Sequence, residues 1–188
     1  SSIPKNVFKV ADSQVASRWG NITEYQDFDL ITPNEKEARF ALADQDSTVG
    51  HLSEEIRKKC SAKNTFLTLG AKGLIAIKDF ANNQKSNYFV LDTFSSRVVD
   101  TVGSGDALLA YGSLVLKATD CILTASIIGS IAASCATEID GNLPVSKDKI
   151  INKLNEIEKQ LWKMNKVLLV GYGNQGKKRE KIGDNKIV

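Results

Sequence analysis

The sequence predicts an α/β fold on a largely parallel sheet. Three observations carry this. Short apolar runs rich in β-branched and aromatic residues alternate with helical patterns. Glycine, proline, aspartate or asparagine closes most of the runs. A helical stretch late in the chain, residues 121–137, is rich in alanine, serine and glycine, which suits close packing inside a core.

Taken in order, residues 7–11 (VFKVA) read as a strand ending at Asp12. Residues 30–32 form a short strand stopped at Pro33, and 34–42 carry a helical pattern. A second helix covers 52–60, with Leu52 and Ile56 four apart on one face. TFLTL at 65–69 is a strand that Gly70-Ala71-Lys72-Gly73 breaks, and 74–77 resume it as a hairpin-like partner. Residues 88–91 form a further strand. Beyond a glycine turn come an apolar helix over 106–117 and a small-residue helix over 121–137. Gly141 and Pro144 mark a loop. Residues 147–164 are amphipathic, with Ile150, Leu154, Ile157 and Leu161 on one stripe. KVLLV at 166–170 reads as a last strand.

Composition narrows the function classes. Of 188 residues, 42% are hydrophobic and 25% charged, as in ordinary globular domains. A balance of 25 basic against 22 acidic residues leaves a net charge of +3. So small a surplus gives no electrostatic case for a nucleic-acid or membrane partner. No stretch reaches the roughly 18 apolar residues needed to cross a bilayer. Ser1-Ser2-Ile3-Pro4-Lys5 has no apolar signal core, so the expected location is the cytoplasm. Cys60, Cys121 and Cys135 are far apart and odd in number, which predicts reduced, mostly buried thiols. His51 is the one histidine, and a surface or helix-cap role is expected of it. Trp19, Trp162, Tyr111 and Phe89 are expected in the core or at its rim.

The chemistry concentrates in Asp100-Thr101-Val102-Gly103-Ser104-Gly105-Asp106. Two glycines flank a serine just before an apolar helix. Glycines permit a tight turn and let a charged ligand approach the backbone N–H groups. Those donors and the positive end of the helix dipole favour a phosphate. A carboxylate there stays ionised in the same field and can take a proton from an attacking hydroxyl. A glycine turn with an aspartate cap would look the same.

DTVGSGD resembles the DTxGAGD signature of the ribokinase-like (PfkB) carbohydrate kinases, with Ser104 in place of the usual alanine. The resemblance implies Asp106 as catalytic base and Gly103, Ser104 and Gly105 as an anion hole. It implies a monovalent-cation site, for K⁺, shaped by Asp100 and Thr101. Other segments match in the family's order. Thr32-Pro33-Asn34-Glu35-Lys36-Glu37 resembles NxxE, whose Asn34 and Glu37 would organise the water shell of Mg²⁺. Asparagine at a helix start with glutamate three residues on is equally a capping box, and both descriptions can hold at once. Thr68-Leu69-Gly70-Ala71-Lys72-Gly73 resembles TxGxxG, which would put Thr68, Gly70 and Gly73 at the nucleotide. Ala132-Ala133-Ser134 falls where the family packs adenine, with Ala133 as contact, and Gly141 where it closes the cation loop. Asp12-Ser13-Gln14 with the later TPNE is similar to the heptose-phosphate kinase subgroup.

The resemblance runs over about residues 7–164 and implies a ribokinase-like three-layer α/β/α sandwich, here a partial domain. It implies ATP and a sugar or sugar phosphate as substrates, with a homodimer as a candidate assembly. The family's acceptor sugar binds mainly to an N-terminal half with a glycine pair and a small β-sheet lid, neither of which is found here. Weak or no sugar phosphorylation by this chain alone is therefore expected, as a fragment or with another chain. Residues 1–164 are expected to be the C-terminal part of a kinase domain. At 165–188, GYGNQG after KVLLV fits the dinucleotide fingerprint GxGxxG. Only 12 residues follow Gly176, too few for a Rossmann half, so a truncated start of such a domain, or a tail, is expected. Lys177-Lys178-Arg179-Glu180-Lys181 reads as a solvated helix face. The remaining alternatives are a non-catalytic nucleotide-binding module and part of a bifunctional kinase and NAD-dependent oxidoreductase.

Overall fold

The computed structural model describes residues 4, 6–12, 22–78, 88–141 and 143–170, with side chains as far as residue 160. It divides into two compact units, Ser1–Val145 and Ser146–Val188. The first holds a five-stranded sheet in sequential order, β1 (Val10–Ala11), β2 (Leu30–Ile31), β3 (Asn64–Thr68), β4 (Leu74–Lys78) and β5 (Tyr88–Leu91). The pairs β1–β2 and β2–β3 are parallel, whereas β3–β4 and β4–β5 are antiparallel. Four strands therefore point one way and β4 alone opposes them. The turn at Gly70–Lys72 makes that reversal, as the glycines flanking Ala71-Lys72 suggested.

Strand alternation sorts the apolar residues onto two faces. Ile31, Leu67 and Ile75 pack in one core cluster with Ala38 of α1 (Glu35–Leu42) and Leu52 and Ile56 of α2 (Val49–Lys59). Their neighbours Leu30, Phe66, Leu74 and Ala76 pack in a second, with Leu108 and Leu116 of α3 (Ser104–Thr119) and Ala125 of α4 (Ile122–Thr137). The result is the expected three-layer sandwich.

Local chemistry sets the helix ends. Asn34 forms a full capping box, its Oδ1 accepting the Glu37 N–H at 2.9 Å and its own N–H donating to Glu37 Oε2 at 2.8 Å. Thr48 caps α2 by accepting the His51 N–H at 3.4 Å, so exposed His51 sits at a helix start. α3 and α4 approach closely because Gly112 and Gly129 leave room. A Cβ on Gly129 would lie 2.9 Å from Leu108 Cδ1, and one on Gly112 2.9 Å from Phe66 Cε2. Asp29 ties the parallel edge together: the Lys9 N–H and the Lys63 ammonium each donate to it at 2.7 Å. Burial pushes its carboxyl up, but those two donors and the lysine charges outweigh it and hold the pKa below 3.8.

The second unit is described by one helix, α5 (Lys147–Val170). Residues 166–170 are thus helix, not the strand expected from KVLLV. No glycine or proline stands between Pro144 and Gly171, so a strong amphipathic helix carries the short apolar run with it. GYGNQG and the basic run after it lie outside the described residues, as do Ser13, Gln14 and Trp19; the side chain of Trp162 does too. Cys60 and Cys135 are buried as expected, whereas Cys121 is exposed just before α4.

Candidate nucleotide and catalytic site

Ligands of open α/β sheets bind outside the carboxyl ends of the strands. Here β1, β2, β3 and β5 share that end. Asp12 follows β1, Thr32 and Asn34 follow β2, Gly70 follows β3 and Asp92 follows β5. Thr68 also forms a parallel bridge with Asn34, and its N–H donates to the Pro33 carbonyl at 3.0 Å.

A cavity of about 270 Å³ includes residues of this edge in its lining. Thr68, Gly70, Gly73 and Leu74 contribute one stretch of wall. The start of α3 contributes Thr101, Ser104, Gly105 and Leu108. α4 adds Ser130, Ala133, Ser134 and Thr137. The loop after β5 adds Asp92, Thr93, Ser95 and Val98. Four residues expected at the nucleotide, Thr68, Gly70, Gly73 and Ala133, thus share one space with Thr101, Ser104 and Gly105. On the α4 wall, the buried Ser134 hydroxyl has no hydrogen-bond partner among the described residues.

The glycine turn has a definite geometry. Gly103 caps α3 at φ 78°, ψ −3°, a left-handed conformation that a side chain would strain. The Thr101 carbonyl accepts from the Ser104 hydroxyl at 2.8 Å and the Ser104 N–H at 3.3 Å. The Ala107 N–H closes the first helical bond, to the Gly103 carbonyl at 3.0 Å. Gly105 and Asp106 therefore precede any intrahelical acceptor for their N–H groups. Asp106 is exposed in this first turn, one residue beyond the cavity lining. A Cβ on Gly105 would sit 3.7 Å from Asp12 Oδ2, and Asp12 Oδ1 accepts from the Thr32 hydroxyl at 3.0 Å. Asp12, met in the sequence only as a strand end and in the subgroup resemblance and given no role there, is a site neighbour. Its signal lay in its place, directly after a parallel strand.

The remaining expected residues lie off the lining. Asp100 Oδ1 accepts the Val102 N–H at 2.9 Å, and the Val99 and Asp100 N–H groups both donate to the Thr137 carbonyl. The loop is so pinned to the end of α4. Gly141 has φ 80° with open space around it. Asn34 and buried Glu37 face each other in their capping box. Among the described residues no group of three histidine, cysteine, aspartate or glutamate side chains could cage a metal. Asp12, Asn34 and Glu37 offer only oxygen donors, which fits a Mg²⁺ ion held through water and phosphate. Among the described residues, no helix is long and apolar enough to cross a membrane.

The family described as pfkB family carbohydrate kinase matches residues 5–142. Curated protein sequences gave no match. Among solved structures, ribokinase from Thermotoga maritima is 24% identical, with a TM-score of 0.63 over 80% of this chain and 50% of its own. Phosphofructokinase-2 from Escherichia coli, in complex with potassium, is 21% identical, with a TM-score of 0.62 over 72% of this chain and 43% of its own. Ribokinase from Arabidopsis thaliana, complexed with ribose and ATP, is 20% identical, with a TM-score of 0.61 over 77% and 46%. The chain spans half or less of the length of each of these structures, and at such identities the likeness is one of fold.

Proposed function

Since the chain belongs to the PfkB family of carbohydrate kinases, we propose that its cavity binds ATP and that the protein transfers the γ-phosphoryl group to a hydroxyl of a sugar or sugar phosphate. One observation supports this most. The glycine start of α3 and the Thr68–Gly73 turn line one cavity, with the Asp106 carboxylate exposed beside it. Residues 1–164 are then the C-terminal, nucleotide-binding portion of a kinase domain. The Arabidopsis neighbour carries ribose and ATP, in keeping with this choice of substrates.

The chain's own groups divide the work. Backbone N–H groups of the Gly103-Ser104-Gly105 turn, foremost those of Gly105 and Asp106 that have no acceptor within the helix, receive the developing charge on the phosphoryl oxygens with the α3 dipole behind them. Asp106 accepts the proton of the acceptor hydroxyl. That oxygen forms the new O–P bond as the bond to the ADP oxygen breaks, in line, and Asp106 holds the proton. Asn34, Glu37 and Asp12 would orient the water shell of Mg²⁺, which when bound neutralises phosphate charge. Asp100 and Thr101 would border a monovalent cation; the Escherichia coli neighbour is a potassium complex. Self-association belongs to the same proposal, and a tetrameric inhibited form of phosphofructokinase-2 is among the matching structures.

ATP binding and ATP turnover, measured side by side, test this. Wild type should bind ATP with Mg²⁺ and hydrolyse it slowly. Asp106→Asn should bind comparably and lose turnover by roughly 10²–10⁴-fold. Equal turnover in the two proteins would remove Asp106 from the chemistry.

A further inference from the structure

The cavity is chemically lopsided. Of the described residues that line it, Asp92 alone carries a charge. It follows directly on β5, while Gly105 adjoins Asp12, which follows β1. β1 and β5 are the two outer strands of the sheet, with three strands between them. One end of the cavity is thus bordered by the N–H donors of a helix start and the other by the exposed Asp92, whose ionised side chain only accepts hydrogen bonds.

No described residue bonds to that carboxylate. The hydroxyls around it are turned elsewhere: Thr93 Oγ1 accepts the Ser95 N–H at 3.2 Å, and the Ser95 and Thr137 hydroxyls pair at 2.9 Å. Thr137 Oγ1 also lies 2.9 Å from the Ser134 carbonyl. Among the described residues Asp92 has neither a hydrogen bond nor an ion pair from its side chain. Its backbone is nevertheless held in place. A Cβ on Gly73 would fall 2.8 Å from the Asp92 carbonyl carbon, so the turn and the residue pack against each other.

At the α3 end the free N–H groups and helix dipole offset the carboxylates of Asp106 and Asp12; Asp92 stands at no helix start, so hydroxyls rather than a phosphate would seek it. A cis-diol presents two adjacent O–H donors to the two oxygens of one carboxylate. We infer that Asp92 accepts the ribose 2′- and 3′-hydroxyls of the bound nucleotide, so that the site selects ribonucleotides and fixes which end of the nucleotide faces the glycine turn. This rests on the nucleotide-binding proposal for the same cavity and adds to it a specificity residue.

Calorimetric titration with ATP, 2′-deoxyATP, 3′-deoxyATP and GTP, each with Mg²⁺, tests it on wild type and Asp92→Ala. Wild type should prefer ATP to either deoxynucleotide by about tenfold or more, the range for a hydrogen bond to a charged group. Asp92→Ala should weaken ATP by a similar factor and shrink the preference to about twofold or less, while Asp92→Asn falls between. Inorganic triphosphate should bind the alanine variant at least as well as wild type. An ATP to deoxyATP ratio unchanged by Asp92→Ala would overturn the inference and leave ATP binding standing. A change in the ATP to GTP ratio instead would also overturn it, assigning the carboxylate to the base. If wild type binds no nucleotide at all, the nucleotide-binding proposal falls, and this inference with it.

Discussion

Gly73→Ala should damage the protein far more than Gly70→Ala, although both glycines belong to one motif and one cavity wall. At Gly73 the backbone has φ 86°, ψ −136°, outside the conformations that L-residues adopt at ease. A Cβ there would lie 1.9 Å from the Leu91 carbonyl oxygen, less than any real contact allows. Leu91 is the last residue of β5 and pairs with Leu74. The chain must therefore adopt a strained residue, about 1–3 kcal/mol, and also pull the end of β5 off β4. Losing two ladder hydrogen bonds adds about 2 kcal/mol, for a sum near 3–5 kcal/mol. With a urea m-value of about 2 kcal/mol per molar, the midpoint falls by about 2 M. Gly70 also has positive φ, 61°, but nothing lies within 4 Å of its added Cβ. Only left-handed strain of about 1–2 kcal/mol applies there, a shift of about 0.5–1 M. Urea unfolding followed by circular dichroism measures both. Equal midpoints for the two variants would refute the close-approach account of Gly73 and leave ligand contact as the reason for that glycine.

Three further outcomes follow from the packing and titration of the fold. Gly129→Ala should cost about 1–3 kcal/mol by forcing α3 and α4 apart at Leu108, read as a lower thermal midpoint; a neutral variant would mean the helices can re-seat freely. Asp29 is held below 3.8 in the folded chain, so its contribution is present above that pH and is lost as pH falls through the folded value. Asp29→Asn should lower stability by about 1 kcal/mol at neutral pH, since Lys63 is mostly in solvent. It should also flatten the acid limb of the stability curve, below the ordinary aspartate pKa, measured by urea titration. Exposed Cys121 has its thiol pKa lowered by the Thr124 hydroxyl and neighbouring N–H groups. Burial pushes Cys60 up to about 11. A thiol reagent should therefore label Cys121 first and reach Cys60 only on unfolding, which mass spectrometry of the labelled peptides can check.

Much of this was legible in the residues because the signals were local. Asn34 and Glu37 announced a capping box, and the glycines around Ala71-Lys72 a reversal between two apolar runs; both are present. α3 shows how a small boundary difference alters chemistry. It begins at Ser104, not Asp106, so the carboxylate stands inside the first turn and glycine takes the cap. What could not be read was convergence. Periodicity assigns residues to faces but does not order strands, so nothing local said that Asp12 would stand beside Gly105 or that Asp92 would enter the same cavity. KVLLV failed for the opposite reason. A five-residue apolar run fits strand or helix equally, and the uninterrupted helix before it decided the outcome.

The central claim is that a triphosphate docks on the N–H groups at the start of α3. Amide hydrogen exchange with and without ATP and Mg²⁺ tests it directly. Protection should appear at Gly105 and Asp106, with Gly70 and Ala71 following, and disappear when AMP replaces ATP at the α3 start. Binding that leaves those amides exchanging at their ligand-free rates would contradict the claim.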